Sequence, residues 1–244
     1  MPSRPTPFTY VLPIRTARPV EDEEFDGYLR RVAERAELLV VDGSADEVFR
    51  AHARRWGGFA RHVPVDGDLR APNGKVSGVL TGVRHATHER LVLADDDVRY
   101  DGGTLEAVVA ALEGAHVVRP QNYFHPLPWH ARWDTGRKLL NRAMDGDWPG
   151  TFGVRRSALL ATGGYRGDVL FENLEMVRTV QAAGGRVARR DDLLVRRIPP
   201  DPATFWSQRV RQAYDELARP ARMAVQLAIV PALAAAAAAG AWRT

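Results

Sequence analysis

Three consecutive aspartates, Asp95, Asp96 and Asp97, follow the apolar run Leu91-Val92-Leu93-Ala94. Carboxylates this close repel one another, and the crowding costs stability unless a cation, water or hydrogen bonds offset it. Mg²⁺ and Mn²⁺ take oxygen ligands, and Mg²⁺ is bound through a few carboxylates together with substrate phosphates. Asp95 and Asp97, with one residue between them, suit an ion that bridges to a diphosphate. Asp96 then points elsewhere, toward a substrate hydroxyl. An acidic surface turn that merely closes a strand is the plainer alternative.

These acids need elements that bring them to one place. Leu91 to Ala94 has the composition of a buried strand, and the same holds for Thr9 to Ile14, Leu38 to Val41 and His116 to Arg119, with Phe59 to Val65 a further candidate. Between them lie helical stretches at 21–36, 45–56, 74–86 and 104–112, the first with acids at its start and arginines near its end. The alternation predicts an α/β fold: a mostly parallel, Rossmann-like sheet flanked by helices. Strand ends then align Pro13 and Arg15, Asp42, and Asp95 to Asp97 along one edge, where open α/β sheets bind ligands. A carboxylate such as Asp42 can accept hydrogen bonds from a base or ribose. Neither a G-x-G-x-x-G after the first strand nor a G-x-x-x-x-G-K-[ST] occurs, which argues against dinucleotide and P-loop enzymes.

Composition narrows the field further. The 244 residues suffice for a sizeable core, and 45% hydrophobic with 26% charged residues is ordinary for a globular chain. Cysteine is absent, which excludes disulfides, thiolate metal sites and thiol nucleophiles. Lys75 and Lys138 are the only lysines among 34 basic residues. The net charge of +4 suits phosphate-bearing ligands or an anionic membrane face. No basic block with interleaved aromatics occurs, so no nucleic-acid partner is expected.

After Pro120 the pattern loosens. An aromatic, proline- and histidine-rich stretch (121–133) precedes a helix at 132–144, a loop at 145–153, and helices at 157–161 and 174–183. Arg186 to Arg190 and Leu193 to Ile198 are candidate strands, and a helix at 202–218 leads to the tail. His125 and His130 have no partner at metal-ligand spacing and are expected as loop residues.

In order and spacing, V-L-P-I-R (11–15), L-V-V-D-G-S-A-D (39–46), G-K (74–75), L-V-L-A-D-D-D-V (91–98), G-T-F-G-V-R-R-S-A-L-L-A-T-G-G-Y (150–165) and F-E-N-L-E-M (171–176) resemble the family 2-type inverting glycosyltransferases of the GT-A fold. The resemblance covers about Phe8 to Leu217. It implies one glycosyltransferase domain over residues 1–220, with a donor half (about 8–120) and an acceptor half (about 121–220). It implies a nucleotide-sugar donor, a UDP-sugar first among them, an ion at Asp95 and Asp97 (Mn²⁺ or Mg²⁺), and a base-binding role for Asp42. Pro13, Arg15, Lys75, Asp95 and Asp96 fall on the donor side, and Trp148 and Gly150 lie in the loop where the family places donor-sugar and acceptor contacts. An indole can stack on a sugar's C–H face, although a core tryptophan closing a turn is equally consistent with the sequence.

The implied reaction is inverting transfer, in which a base deprotonates an acceptor hydroxyl that attacks the anomeric carbon. The family writes its base as the Asp of an E-D pair opening a helix, and here that position is Asn173, which cannot act as a base. Glu172 is the first candidate to replace it and Glu175 the second. Three residues apart, they share a helix face; alternatively, one of them simply caps the helix start. Gln208 and Arg211 match the family's Q-x-x-R-W, but Gln212 stands where the tryptophan would be. That departure favours single transfer to a hydroxyl acceptor, a lipid or small molecule, as in the ceramide-glucosyltransferase-like branch. Two alternatives remain: a degenerate sugar- or nucleotide-binding protein, and, disfavoured by the glycine-free Ile14-Arg15-Thr16, a sugar nucleotidyltransferase.

The start of the chain is polar and proline-rich, without the apolar segment of a signal peptide, so a cytoplasmic body is expected. Residues 221–244 form an apolar, alanine-rich C-terminal helix. Met223 to Trp242 is long enough to cross a bilayer, but ten of its twenty residues are alanine and Pro231 interrupts it. Contact with the cytoplasmic face of a membrane through this helix is one expectation; packing on protein is the other.

Overall fold

Apolar strands alternate with helices from the start of the chain: β1 (Thr9–Ile14), α1 (Glu23–Ala33), β2 (Glu37–Asp42), α2 (Asp46–Trp56), β3 (Arg61–Pro64), α3 (Gly74–His85), β4 (Arg90–Ala94), β5 (Val98–Arg99), α4 (Gly102–Ala111) and β6 (Val117–Phe124). The second half adds α5 (Trp129–Ala143), β7 (Thr151–Arg155), α6 (Arg156–Ala161), α7 (Glu172–Ala182), β8 (Val187–Arg197), α8 (Pro202–Leu217) and α9 (Pro220–Ala238). This computed structural model describes residues 6–143, 148–169, 171–217 and 220–240. One compact unit runs to Pro199 and a second, holding α8 and α9, begins at Pro200.

Eight strands form one sheet in the order β3-β2-β1-β4-β7-β6-β8-β5. Parallel pairing joins β3, β2, β1 and β4, and also β6 with β8. Antiparallel pairing places β7 between β4 and β6, and β5 beside β8. The central strands are apolar on both faces because helices cover both. Alternate residues supply the two cores: Tyr10, Leu12, Leu38 and Val40 enter one, Val11, Leu39 and Val41 the other.

Helix starts follow local chemistry. Asp22 accepts the Phe25 N–H at 3.1 Å to cap α1, and Asn73 accepts the Lys75 N–H at 3.0 Å to cap α3. Helix α3 lies close on β1 because two glycines four residues apart face it. A Cβ at Gly78 would meet Pro13 Cβ at 2.8 Å, and one at Gly82 would overlap Val11.

Two sequence expectations change. The loop expected through Gly153 ends early, because Thr151 begins β7, whose backbone pairs with β4 on one side and β6 on the other. The two strands expected near 186–198 are one strand, β8, which follows β6 across a register shift between Arg119 and Gln121. Among the described residues no helix is long and apolar enough to cross a membrane, and Pro231 sits inside α9.

Candidate active site

Strand order reverses direction at β1: the chain moves outward to β2 and β3, then returns to place β4 on the other side. Such a switch point opens a crevice at the carboxyl ends of the strands. Register brings Ile14 opposite Asp42 and Val11 opposite Leu93, so the residues after β1, β2 and β4 emerge on the same edge. Helix α3 begins at this edge and delivers Lys75 in its first turn.

Lys75 is the hub of the crevice. Its Nζ lies 2.6 Å from Asp95 Oδ1 and 3.0 Å from Glu172 Oε1, joining the end of β4 to the start of α7. Burial alone would lower its pKa, but Asp95 and then Glu172 outweigh that and hold the ammonium above the ordinary lysine range. Arg197, at the end of β8, takes the other side of the acid run: Nε lies 2.7 Å from Asp97 Oδ2 and Nη2 3.8 Å from Asp95 Oδ2. Its pKa is likewise raised, burial being outweighed by Asp97 and then Asp95. Asp97 Oδ1 is buried with no hydrogen-bond partner. Asp96 lies at the surface and makes no side-chain contact with either cation; desolvation by its surroundings, then Asp97 and Asp95, push its carboxyl above the ordinary range.

The turn is fixed from below by β7. Asp95 N donates to Gly150 O at 2.8 Å, and Gly150 N donates to Asn122 Oδ1 at 2.7 Å. A Cβ on Gly150 would stand 2.7 Å from Asp95 Oδ2 and 3.4 Å from Arg197 Cζ, so only glycine lets both side chains settle here. Thr151 Oγ1 donates to Leu93 O at 2.7 Å and shares a 2.9 Å hydrogen bond with Tyr100. Burial raises the pKa of Tyr165, which lies within electrostatic reach of Lys75, Glu172 and Asp95.

Glu172 opens α7, and Glu175 follows in its first turn. Asn173 turns its amide elsewhere, donating from Nδ2 to Pro149 O at 3.1 Å and tying α7 to the 148–150 loop. In that loop the Arg119 guanidinium sits 4.7 Å over the Trp148 ring, while Trp148 Nε1 is buried without a partner.

Asp42 lies apart from this cluster. Its Oδ1 accepts the Ser44 N–H at 2.8 Å, and its Oδ2 faces His52 Nδ1 at 2.7 Å and His62 Nε2 at 3.0 Å, with no exposed side-chain surface. Burial would raise its pKa; the hydrogen bonds from His62, Ser44 and His52 win and hold it far below the ordinary carboxylate range. Asp42, His52 and His62 also have the donor set of a metal site, but His52 Nε2 already accepts the Val20 N–H at 3.0 Å, and the hydrogen bonds alone account for the geometry at Asp42. Ser44 Oγ in turn accepts the Thr16 N–H at 2.9 Å, bracing the segment after β1. Pro13 is half-buried under Gly78, and Arg15 is exposed, with Nη1 3.8 Å from where a Cβ of Gly74 would stand. Gln208 is half-buried in α8, in the second unit, and the Arg211 side chain lies outside the described residues. His130 is not a loop residue, as expected from sequence, but a buried residue of α5.

Thus Lys75, Asp95, Asp97, Glu172 and Gly150 come together. Arg197, Asn122 and Tyr165 join them without having been singled out from sequence. Arg197 carried one signal: an arginine pair ending an apolar strand just before Pro199-Pro200.

No curated protein matches the chain. Solved structures do. A mannosyltransferase, PcManGT from Pyrobaculum calidifontis, in complex with GDP-Man and Mn²⁺, superposes with a TM-score of 0.61 at 19% identity over 84% of this chain and 60% of that one. A mycobacterial protein superposes at 0.53 and 17% identity, covering 81% of this chain and 69% of its own, and residues 1–349 of S. aureus TarS at 0.53 and 14%, covering 79% and 60%. The chain therefore spans about 60% of the length of the mannosyltransferase it resembles. These likenesses establish the fold, and a family model matches residues 27–161, more than half the chain: the protein belongs to glycosyl transferase family 2.

Proposed function

We propose that this protein transfers a sugar, with inversion, from a nucleoside-diphosphate sugar to a hydroxyl acceptor. The observation that carries the proposal is Lys75, which binds Asp95 on one side and Glu172 on the other at the switch point of the sheet. Metal site, leaving-group site and base site then share one crevice.

Among the described residues, Lys75 and Arg197 are the cations paired with Asp95, Asp97 and Glu172, and Asp97 Oδ1 is buried without a partner. That oxygen-rich, over-acidic set fits Mn²⁺ or Mg²⁺, with Asp95 and Asp97 as the residues that would hold it. When bound, the ion supplies charge stabilisation to the departing diphosphate. The chain's own cations add to this: Lys75 and Arg197 are aimed at the same place, and a cation near the leaving oxygen stabilises the charge that develops there. Asp96, exposed and without a cationic partner, is assigned to a sugar hydroxyl, and Trp148 to the sugar's apolar face.

For the base we assign Glu172, with Glu175 second. Glu172 stands beside Lys75, so an incoming hydroxyl competes with the ammonium for its lone pairs and displaces it as the acceptor seats. Asp42 is assigned to the base end of the donor through Ser44, which it orders. Pro13 and Arg15 complete the donor contacts in this proposal. UDP-sugars are the first donor class and GDP-mannose the second, the latter because the mannosyltransferase of like fold was captured with it. A lipid-borne hydroxyl is the first acceptor class.

One observation favours a second reading, a non-catalytic donor-binding protein: Asn173 occupies the family's base position and spends its amide on Pro149 O. Calorimetry against UDP-, GDP- and TDP-sugars with Mn²⁺, then with EDTA, tests the donor site. Binding confined to one base and lost with EDTA is expected, and metal-independent binding or none overturns it. Slow release of free nucleotide from the bound donor separates an enzyme from the non-catalytic reading.

A further inference from the structure

Helix α5 is amphipathic the wrong way round for a helix in water. Its buried positions are polar: His130, Asp134, Lys138 and Asn141 are 4%, 4%, 9% and 5% exposed. Its apolar side chains point outward: Trp129, Trp133, Leu139 and Leu140 are 56%, 69%, 57% and 56% exposed. A surface helix normally turns its apolar stripe to the core and its charges to solvent. At about 100° per residue, Trp129, Leu140 and Trp133 fall within roughly 40° of arc, with Leu139 about 80° away from Trp129. The polar side is well accommodated, since the Lys138 ammonium sits 4.0 Å over the Phe124 ring and Asp134 Oδ1 accepts from Arg137 Nε at 2.9 Å. The inversion is therefore built into the packing and leaves Trp133, Leu139 and Leu140 more than half exposed.

Charge identifies that neighbour. Arg132, exposed, and Arg137, half-buried and paired with Asp134, flank the Trp129–Trp133–Leu140 stripe on opposite sides, and Asp134, the helix's one acid, is buried. A second copy packed face to face would set these arginine rims against each other. An anionic bilayer surface instead accepts indole and leucine at headgroup depth and attracts the arginines at the rim. Tyr123 and Leu127, in the segment leading into α5, are exposed as well.

We propose that α5 is an interfacial helix that seats the protein on an anionic membrane surface, its Trp129–Trp133–Leu140 stripe in the lipid and its arginines among the headgroups. The proposal rests on α5 itself and does not depend on the sugar-transfer reading. It does have a consequence for that reading: Arg142 Nη2, on α5, donates to Asn122 O at 2.5 Å, and Asn122 Oδ1 holds Gly150 N at 2.7 Å. One asparagine thus links the docking helix to the loop under Asp95, so a membrane-borne acceptor would arrive beside the crevice.

The test is flotation of the full chain with phosphatidylcholine vesicles, with and without phosphatidylglycerol. The expected result is binding to the anionic vesicles that weakens with added salt and falls at least tenfold in a Trp133→Glu/Leu140→Glu variant of unchanged thermal midpoint. Should that variant fold poorly, brominated phosphatidylcholine in the anionic vesicles should quench wild-type tryptophan fluorescence and do so less in Trp129→Phe/Trp133→Phe. Equal binding by wild type and both variants, no binding to anionic vesicles, or a wild-type dimer that the glutamates dissolve would overturn the proposal.

Discussion

Lys75 Nζ lies 3.0 Å from Glu172 Oε1, so the residue assigned as base is held by the same ammonium that grips Asp95 at 2.6 Å. The two ends of the proposed reaction are therefore coupled through one side chain. Lys75→Met removes it, leaving Glu172 without its counter-charge and Asp95 with only Arg197, 3.8 Å away. Donor affinity should fall at least tenfold, equivalent to about 1.4 kcal/mol, and Lys75→Arg should recover part of it. Calorimetry with the donor checks this; wild-type affinity in Lys75→Met would remove the ammonium from the site.

Asp97 separates metal binding from general acidity. Asp97→Ala should abolish the Mn²⁺-dependent part of nucleotide affinity, whereas Asp96→Asn should leave metal dependence intact and weaken only sugar-bearing donors. Titrations with and without EDTA, using the free nucleotide and then the nucleotide sugar, distinguish the two. A metal response that survives in Asp97→Ala contradicts the ligand assignment.

Glu172→Gln keeps the hydrogen-bonding shape of the side chain but removes its capacity to accept a proton. Loss of a general base typically costs on the order of 10²–10⁴ in rate. Transfer should fall by that amount with donor affinity nearly unchanged, and Glu175→Gln should do far less. The opposite ranking moves the base to Glu175.

Gly150→Ala tests the site's dependence on backbone shape. The new Cβ would stand 2.7 Å from Asp95 Oδ2, which forces the carboxylate away from Lys75 or the loop away from β4. Donor and metal affinity should drop together. Folding should persist, because the overlap is with a side chain at the edge of the crevice. Unaltered metal affinity would mean that Asp95 is not a ligand in its observed position.

Asp42 predicts an acid-dependent stability. Its carboxyl is held below the ordinary value by His62, Ser44 and His52 against the opposing effect of burial. A depressed folded-state pKa adds stability above the unfolded value, about 3.9 for aspartate, and this is lost as pH falls through that value and below. Asp42→Ala should destabilise the protein at neutral pH by about 3 kcal/mol, since it orphans buried partners. The gap to wild type should narrow from about pH 4 downward. Thermal melts across pH read both effects, and a gap that does not change with pH would show that the carboxylate is not what the histidines stabilise.

Local sequence was enough wherever the chemistry was local. Alternating apolar strands and capped helices follow from period and capping residues, and the acids of the Asp95 turn follow from a strand running straight into three carboxylates. The spacing of Glu172 and Glu175 likewise places both in the first turn of α7. Expectations failed where pairing was non-local. The short segment Thr151–Arg155 became a strand because both of its neighbours had open edges, which no window of sequence reveals. Helix α5 broke the rule that buried faces are apolar, so its pattern alone would have turned it around.

By itself the sequence determined the carboxyl edge of the sheet: which residues end β1, β2 and β4, and that a carboxylate run stands there without cysteine or a phosphate-binding glycine loop. Tertiary structure alone decided what those residues face. Lys75 meets Asp95 and Glu172 only because Gly78 and Gly82 let α3 lie on β1. Arg197 reaches Asp97 across 100 residues of chain through the pairing of β8 with β5. Asp42, equal to the others on paper, is enclosed by two histidines from α2 and β3. Side-chain identity is a property of position in the chain, whereas charge pairing depends on distance in space, and only the packed sheet sets that distance.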